Sequence, residues 1–231
     1  MHGRLGLALA AGLCAIVAAT PSSAVFIIDD FNTATTYGAT DATVDATGVT
    51  GNALPVTAGN VAWGALGGGA TLTGRSVTAN LAGGDPLNAR ICSNCQVGEY
   101  NSDNGTTGTA LFSYTANSTN TGANGSVMID YRADLTGGFL TFSFQDLMGN
   151  IGTVSSALLG GGNVWQSLML ALPGNVNFGQ LVAASVTIDG SNVIELAAEI
   201  DNFKLVPEPA SLGLLGIGLA GLGFAARRRR V

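Results

Sequence analysis

The sequence predicts an all-β protein, an antiparallel β-sandwich with a jelly-roll-like plan, set between an N-terminal signal peptide and a C-terminal transmembrane helix. Three observations carry this prediction. Glycine supplies 34 of 231 residues, about twice the usual share, and with abundant Thr, Asn and Ser it disfavours long helices. Apolar side chains recur at every second position, the period of a strand with one buried face. The alternating runs are short and separated by Gly- and Asn-bearing turns, as in a sandwich.

In chain order, residues 1–24 read as a signal peptide. Arg4 supplies the positive start and Leu5 to Ala19 the apolar core. Ser22-Ser23-Ala24 gives the small residues a signal peptidase requires, with cleavage before Val25. Cys14 follows Ala11-Gly12-Leu13 and so lacks the small residue needed directly before a lipidated cysteine. Residues 25–206 then form one extracytoplasmic domain, long enough for a sizeable core.

Eight strands are predicted within it. Val127, Ile129, Tyr131 and Ala133 alternate with Met128, Asp130, Arg132 and Asp134. After Thr136-Gly137-Gly138, Leu140, Phe142 and Phe144 alternate with Thr141, Ser143 and Gln145, which reads as a β-hairpin. The others are Phe26 to Phe31, Thr71 to Leu81, Thr109 to Ala116, Val164 to Leu172, Val182 to Ile188 and Asn192 to Val206. Ala34 to Gly59 and Gly98 to Gly108 are polar and weakly periodic, and read as surface loops. No tandem repeat stands out.

Two short pieces bracket the domain: Ile28-Asp29-Asp30-Phe31 at its start and Glu199 to Leu205 at its end. In the last strand Ile194, Leu196, Ala198 and Ile200 share one parity and Phe203 and Leu205 the other, so a bulge near Asp201-Asn202 is expected. The bracketing resembles the paired first and last strands of jelly-roll, carbohydrate-binding-type domains.

Charge excludes one class of partner. Fourteen of the fifteen acidic residues but only four of the nine basic ones lie between Val25 and Val206, a net charge of −10. Nucleic acid binders meet phosphate with basic patches, so nucleic acid is not a partner. The only histidine, His2, lies in the signal peptide. Without it the domain has no Ser-His-Asp or Cys-His pair and no histidine-containing zinc site.

Carboxylate chemistry remains, and glycoside hydrolysis needs two acidic side chains flanking a bond. Asp130, Asp134, Asp146, Glu195 and Glu199 are available. The competing account is a solvated strand face, since Asp130 and Asp134 share parity with Arg132, and Glu195 shares it with Glu199. Cys92-Ser93-Asn94-Cys95 has too few ligands for a tetrahedral zinc site. In an oxidising compartment it favours a Cys92–Cys95 disulfide closing a very small loop, with a redox-active pair as the alternative. Gly67-Gly68-Gly69 and Gly160-Gly161-Gly162 lack the lysine of a phosphate loop and read as turns. Trp63, Trp165, Tyr100, Tyr114 and Tyr131 are candidates either for stacking on sugar rings or for the core.

The C-terminal segment, residues 207–231, has three parts in fixed order. Pro207-Glu208-Pro209 forms a rigid turn, Ala210 to Ala226 is a 17-residue stretch without charge, and Arg227, Arg228, Arg229 and Arg230 follow. As a helix the stretch reaches about 25 Å, near the lower end of what spans a bilayer. Lys/Arg clusters stay cytoplasmic, which places the domain outside.

This order of features resembles the PEP-CTERM sorting signal of Gram-negative, exopolysaccharide-producing bacteria. The resemblance implies recognition and processing by an exosortase near the Pro-Glu-Pro motif. Its partners are then exosortase and signal peptidase during export, the membrane through the C-terminal helix before processing, and exopolysaccharide afterwards. The protein is expected to be anchored transiently in the inner membrane, then to reach the cell surface or the extracellular space.

Three functions stand side by side. The first is a non-enzymatic surface or matrix protein associated with exopolysaccharide and biofilm. The second is a carbohydrate-binding module, marked by a lone exposed Trp on a sheet face. The third is a carboxylate-dependent glycoside-active enzyme. None requires a cofactor. Asp29, Asp30 and Asp201 offer carboxylates for a structural calcium ion if the first and last strands pair, against the alternative of strand-edge charges and a bulge.

Overall fold

The computed structural model describes residues 25–31, 42–46, 56–61, 65–66, 70–83, 87–92, 96–102, 105–121 and 125–207. In chain order the strands among them are β1 (Phe26–Asp29), β2 (Ala42–Ala46), β3 (Val56–Val61), β4 (Ala65–Leu66), β5 (Ala70–Gly83), β6 (Leu87–Cys92) and β7 (Val97–Ser102). They continue with β8 (Thr107–Thr119), β9 (Ser126–Ala133), β10 (Phe139–Asp146), β11 (Ile151–Ala157), β12 (Gln166–Ala171), β13 (Leu181–Asp189) and β14 (Ala197–Val206). The expected signal peptide, transmembrane helix, Glu208, Pro209 and the four arginines lie outside the described residues, as do Trp63 and Cys95. Among the described residues no helix is long and apolar enough to cross a membrane.

The strands form two antiparallel sheets within a compact unit, Ala24–Pro207. One runs β12-β9-β14-β7-β6-β2, with β1 also paired to β14; the other runs β11-β10-β13-β8-β5-β3, with β4 on β5. The expected antiparallel sandwich is therefore present, and its first and last strands pair, with Phe26 opposite Leu205. Alternation explains the layers. In β9 and β10 every second side chain is buried and the intervening ones face outward, as a half-buried strand requires.

The two inner faces meet around aromatic rings. Phe203 of β14 reaches across to Tyr114 of β8 and Phe142 of β10, each with ring centres 5.7 Å away. Phe31 meets Phe112 edge to face at 6.3 Å. Burying one such side chain contributes about 1.5–3 kcal/mol.

The predicted bulge is there. Asn202 has φ of +53°, the pairing of β14 with β9 shifts between Asp201 and Lys204, and Ala198, Ile200, Phe203 and Leu205 are all buried. One extra residue thus returns both parities to the same core.

Three expectations are corrected. β9 and β10 make no hairpin: β9 pairs with β12 and β14, whereas β10 pairs with β11 and β13. The connection through Gly137-Gly138 crosses between sheets, and period-two alternation looks the same in either case. The tracts read as loops contain β2, most of β3 and most of β7. Gly98 sits inside β7 because a Cβ there would lie 2.9–3.0 Å from Phe31, Ile200 and Phe112; it marks close packing rather than a turn. The last strand begins at Ala197, not Asn192, and Glu195 stands in a turn with φ of +61°, off the strand face expected to carry it beside Glu199.

Candidate functional site

The outer face of the β12-β9-β14-β7-β6 sheet carries most of the charged side chains described. Alternation puts them there. Ile129, Tyr131, Ala198, Ile200, Tyr100 and Ala89 point inward and are buried, so Asp130, Arg132, Glu199, Asp201, Glu99 and Arg90 point outward. Register then lines up Arg90, Glu99, Glu199 and Arg132 across four strands. Arg90 clasps Glu99 with Nε and Nη2, and Arg132 donates from Nε and Nη2 to Glu199, both at 2.8 Å. Two like-charged glutamates thus sit side by side, each held by its own arginine.

Arg132 has a second contact. Its guanidinium carbon lies 5.1 Å from the centre of the Trp165 ring, a cation–π distance. Trp165 stands directly before β12, where Gly160 lets the preceding loop close on the turn after β9: a Cβ there would lie 2.0 Å from the backbone of Leu135. The next residue, Gln166, accepts from Tyr131 Oη at 3.3 Å and donates to Leu159 O at 2.9 Å. The ring is so fixed while 42% exposed.

Beside it lies a depression of about 280 Å³ lined by Asp130, Trp165, Gln166, Ser167 and Asp201. Ser167 Oγ donates to Asp130 Oδ1 at 2.5 Å. Asn202 Nδ2 donates to Asp130 Oδ2 at 2.9 Å and to Asp201 Oδ2 at 3.1 Å, while its backbone N–H donates to Asp201 Oδ1 at 2.6 Å. Burial pushes the Asp201 carboxyl up to about 6, helped by the nearby charges of Asp130, Asp30 and Asp29 and opposed by the Asn202 N–H. A second depression on the same face, about 220 Å³, is lined partly by Glu99, Asn101, Asp134, Asn163 and Glu199.

Of the aromatic candidates, Tyr100, Tyr114 and Tyr131 are buried in the core, and only Trp165 among those described offers an open ring. Asp134 accepts from the Ala197 N–H at 2.8 Å and ties β9 to β14. Asp146 belongs to the opposite sheet, where the N–H of Asn177, at 3.0 Å, and those of Met148 and Asn150 hold its carboxyl below the usual range; its role is to close the β10–β11 turn. Asp29 is buried and accepts from the Phe31 N–H at 2.9 Å. Asp29 and Asp30 are near enough to bear on Asp201, yet among the described residues no group of three or more His, Cys, Asp or Glu side chains could hold a metal ion. Gln166 and Ser167 were not singled out from the sequence; their one signal was adjacency to Trp165.

β14 runs from this face to Val206, where the C-terminal segment begins. Residues 205–230 match the family described as the PEP-CTERM protein-sorting motif. The chain carries a PEP-CTERM protein-sorting motif at this end. The PEP-CTERM motif implies export, and membrane-associated processing by an exosortase. No curated protein matches the chain in sequence. Among solved structures, the family 11 carbohydrate-binding module of the cellulosomal cellulase Lic26A-Cel5E of Clostridium thermocellum is 10% identical, covering 81% of this chain and 96% of that one at a TM-score of 0.39. TmCBM61, solved with beta-1,4-galactotriose, is 14% identical over 58% of this chain and 88% of that one, also at 0.39. Arabinose-bound MgGH51 α-L-arabinofuranosidase is 16% identical over 81% of this chain and 30% of that one, at 0.37. These are likenesses of fold alone.

Proposed function

We propose that this PEP-CTERM protein is a non-enzymatic, exopolysaccharide-associated surface or matrix protein that holds glycan at the Trp165 depression. The observation that carries the reading is the exposed ring of Trp165, pinned by Arg132 beside the polar groups of Asp130, Gln166, Ser167 and Asp201. A sugar offers an apolar ring face for stacking and hydroxyls for hydrogen bonds, and the depression supplies both partners. The domain's net charge of −10 favours a neutral polymer over an acidic one.

The test is a glycan-array screen of the exported protein, with and without calcium, followed by titration of the best hit. Trp165→Ala should weaken binding roughly 10–100-fold, the loss of one stacked aromatic contact. Wild-type protein that binds no glycan, or a Trp165→Ala variant that binds equally well, would remove the reading. A second reading, glycoside hydrolysis, is favoured by the adjacency of Asp130 and Asp201 in one depression. Release of new reducing ends from a bound glycan, abolished in Asp201→Asn, would establish it in place of the non-enzymatic one.

A further inference from the structure

Both sheets end on the same side of the sandwich. β11 closes one and β12 the other; the two follow each other in the chain and lie in contact. Among the described residues, no strand pairs with the outer edge of either. Such edges present unpaired N–H and C=O groups, and proteins blunt them with charge, proline or a bulge.

None of these guards protects β12. Residues 147–188 contain no Asp, Glu, Lys, Arg or His at all, although the domain is strongly acidic. Gln166-Ser167-Leu168-Met169-Leu170-Ala171 has no proline, and its pairing with β9 runs without a register shift from Gln166↔Tyr131 to Ala171↔Ser126. Met169 is 62% exposed, and Leu168 and Leu170 are only partly buried. β11 differs: Asn175 Nδ2 donates to Ile151 O at 2.7 Å, and Pro173 lies over Gly152. Its edge is covered where it starts, which leaves β12 as the open one.

We propose that β12 pairs antiparallel with β12 of a second copy of this chain about a twofold axis, so that two sandwiches share one continuous sheet. Two identical strands paired antiparallel are self-complementary, which is the requirement of a closed twofold interface. The register is restricted. Directly opposed residues must lie on the same face of the sheet, so the seam centres on Leu168 or on Met169. Either way Leu168 and Leu170 gain cover, and neither partner brings a charge into the seam. Two domains of net charge −10 repel, and they approach at least cost through a side that carries no charge. The pairing also sets two Trp165 depressions on one joined sheet, but it does not depend on their binding glycan.

The test is sedimentation velocity of the full exported chain, without glycan, across protein and salt concentrations. A concentration-dependent dimer is expected, strengthened by salt because screening weakens the repulsion within a Debye length of about 10 Å at 0.1 M. Met169→Lys should be monomeric, while Met148→Lys, which adds the same charge on the exposed β10–β11 turn, should still dimerise. Melting curves matching wild type would show that both variants fold. Hydrogen exchange gives an independent reading, since β12 amides should become more protected as concentration rises. A wild type that stays monomeric, or an association that survives Met169→Lys, overturns the proposal.

Discussion

Asp130 and Asp201 face each other across β9 and β14 and share one donor, the side-chain nitrogen of Asn202, at 2.9 and 3.1 Å. The bulge places that nitrogen there. Asn202 adopts φ of +53°, a left-handed conformation that Asn and Asp tolerate better than most residues. Asn202→Asp should therefore keep the backbone while removing the donor and adding a third carboxylate. Denaturant unfolding at pH 7.5 should show a loss of roughly 1–3 kcal/mol, the range for hydrogen bonds to charged groups, and a smaller loss at pH 5. Unchanged stability would show that the shared donor does not hold the pair.

Asp201 makes stability depend on pH in a direction opposite to most carboxylates. Its folded value is about 6 against 3.8 for the free group, so the folded state binds this proton more tightly than the unfolded one. Stability should rise as pH falls through 6 and level off near 3.8. Asp201→Asn should flatten the trend in melting temperature between pH 7.5 and 4.5 and raise the value at pH 7.5. Melts repeated with calcium and with chelator test the calcium expectation. A bound ion stabilises the folded state by mass action, so a chelator effect absent from Asp201→Ala would support it, and no effect in wild type would dismiss it.

Much of the core was readable because alternation is strong where strands are long and half-buried. Val127, Ile129, Tyr131 and Ala133 were legible as one face of a strand, although Tyr131 was left open between the core and sugar stacking, and the parity break in the last strand located the bulge. What local pattern does not encode is the partner. Nothing in β9 or β10 says that they join different sheets, and Gly98 resembles a turn glycine until Phe31 and Phe112 are seen packed against it. The candidate site was half legible for the same reason. Trp165 and the carboxylates were visible as residues. Their meeting depends on the register of β14 with β9 and of β9 with β12, pairings between distant parts of the chain.

Phe203 should be among the costliest residues to remove. It is fully buried and touches Tyr114, Phe142 and Phe144 across the sandwich. Phe203→Ala should cost about 3–5 kcal/mol by lost burial and cavity formation, measured by denaturant unfolding. Phe203→Leu should cost markedly less. Equal losses in both variants would argue that the ring contacts, rather than the volume, matter there.

Replacing Pro207, Glu208 and Pro209 together with alanine should leave export intact and block exosortase processing, because β14 ends at Val206, before the Pro-Glu-Pro tripeptide of the motif. Immunoblots of cell fractions against the domain and against the tail separate the two effects. An unchanged fragment pattern would count against processing at this motif.

The strand that delivers the chain to Pro207 is not an edge strand. β14 is flanked by β9 on one side and by β7 and then β1 on the other, with Leu205 buried opposite Phe26. Its ladder bonds run perpendicular to its axis, so tension applied through residue 207 along that axis loads many of them in shear at once. β1, which among the described residues pairs with β14 and no other strand, would peel from its own end one bond at a time. Were the chain held beyond residue 207 and a glycan held near Trp165 as proposed, the load between them would pass along this doubly flanked strand.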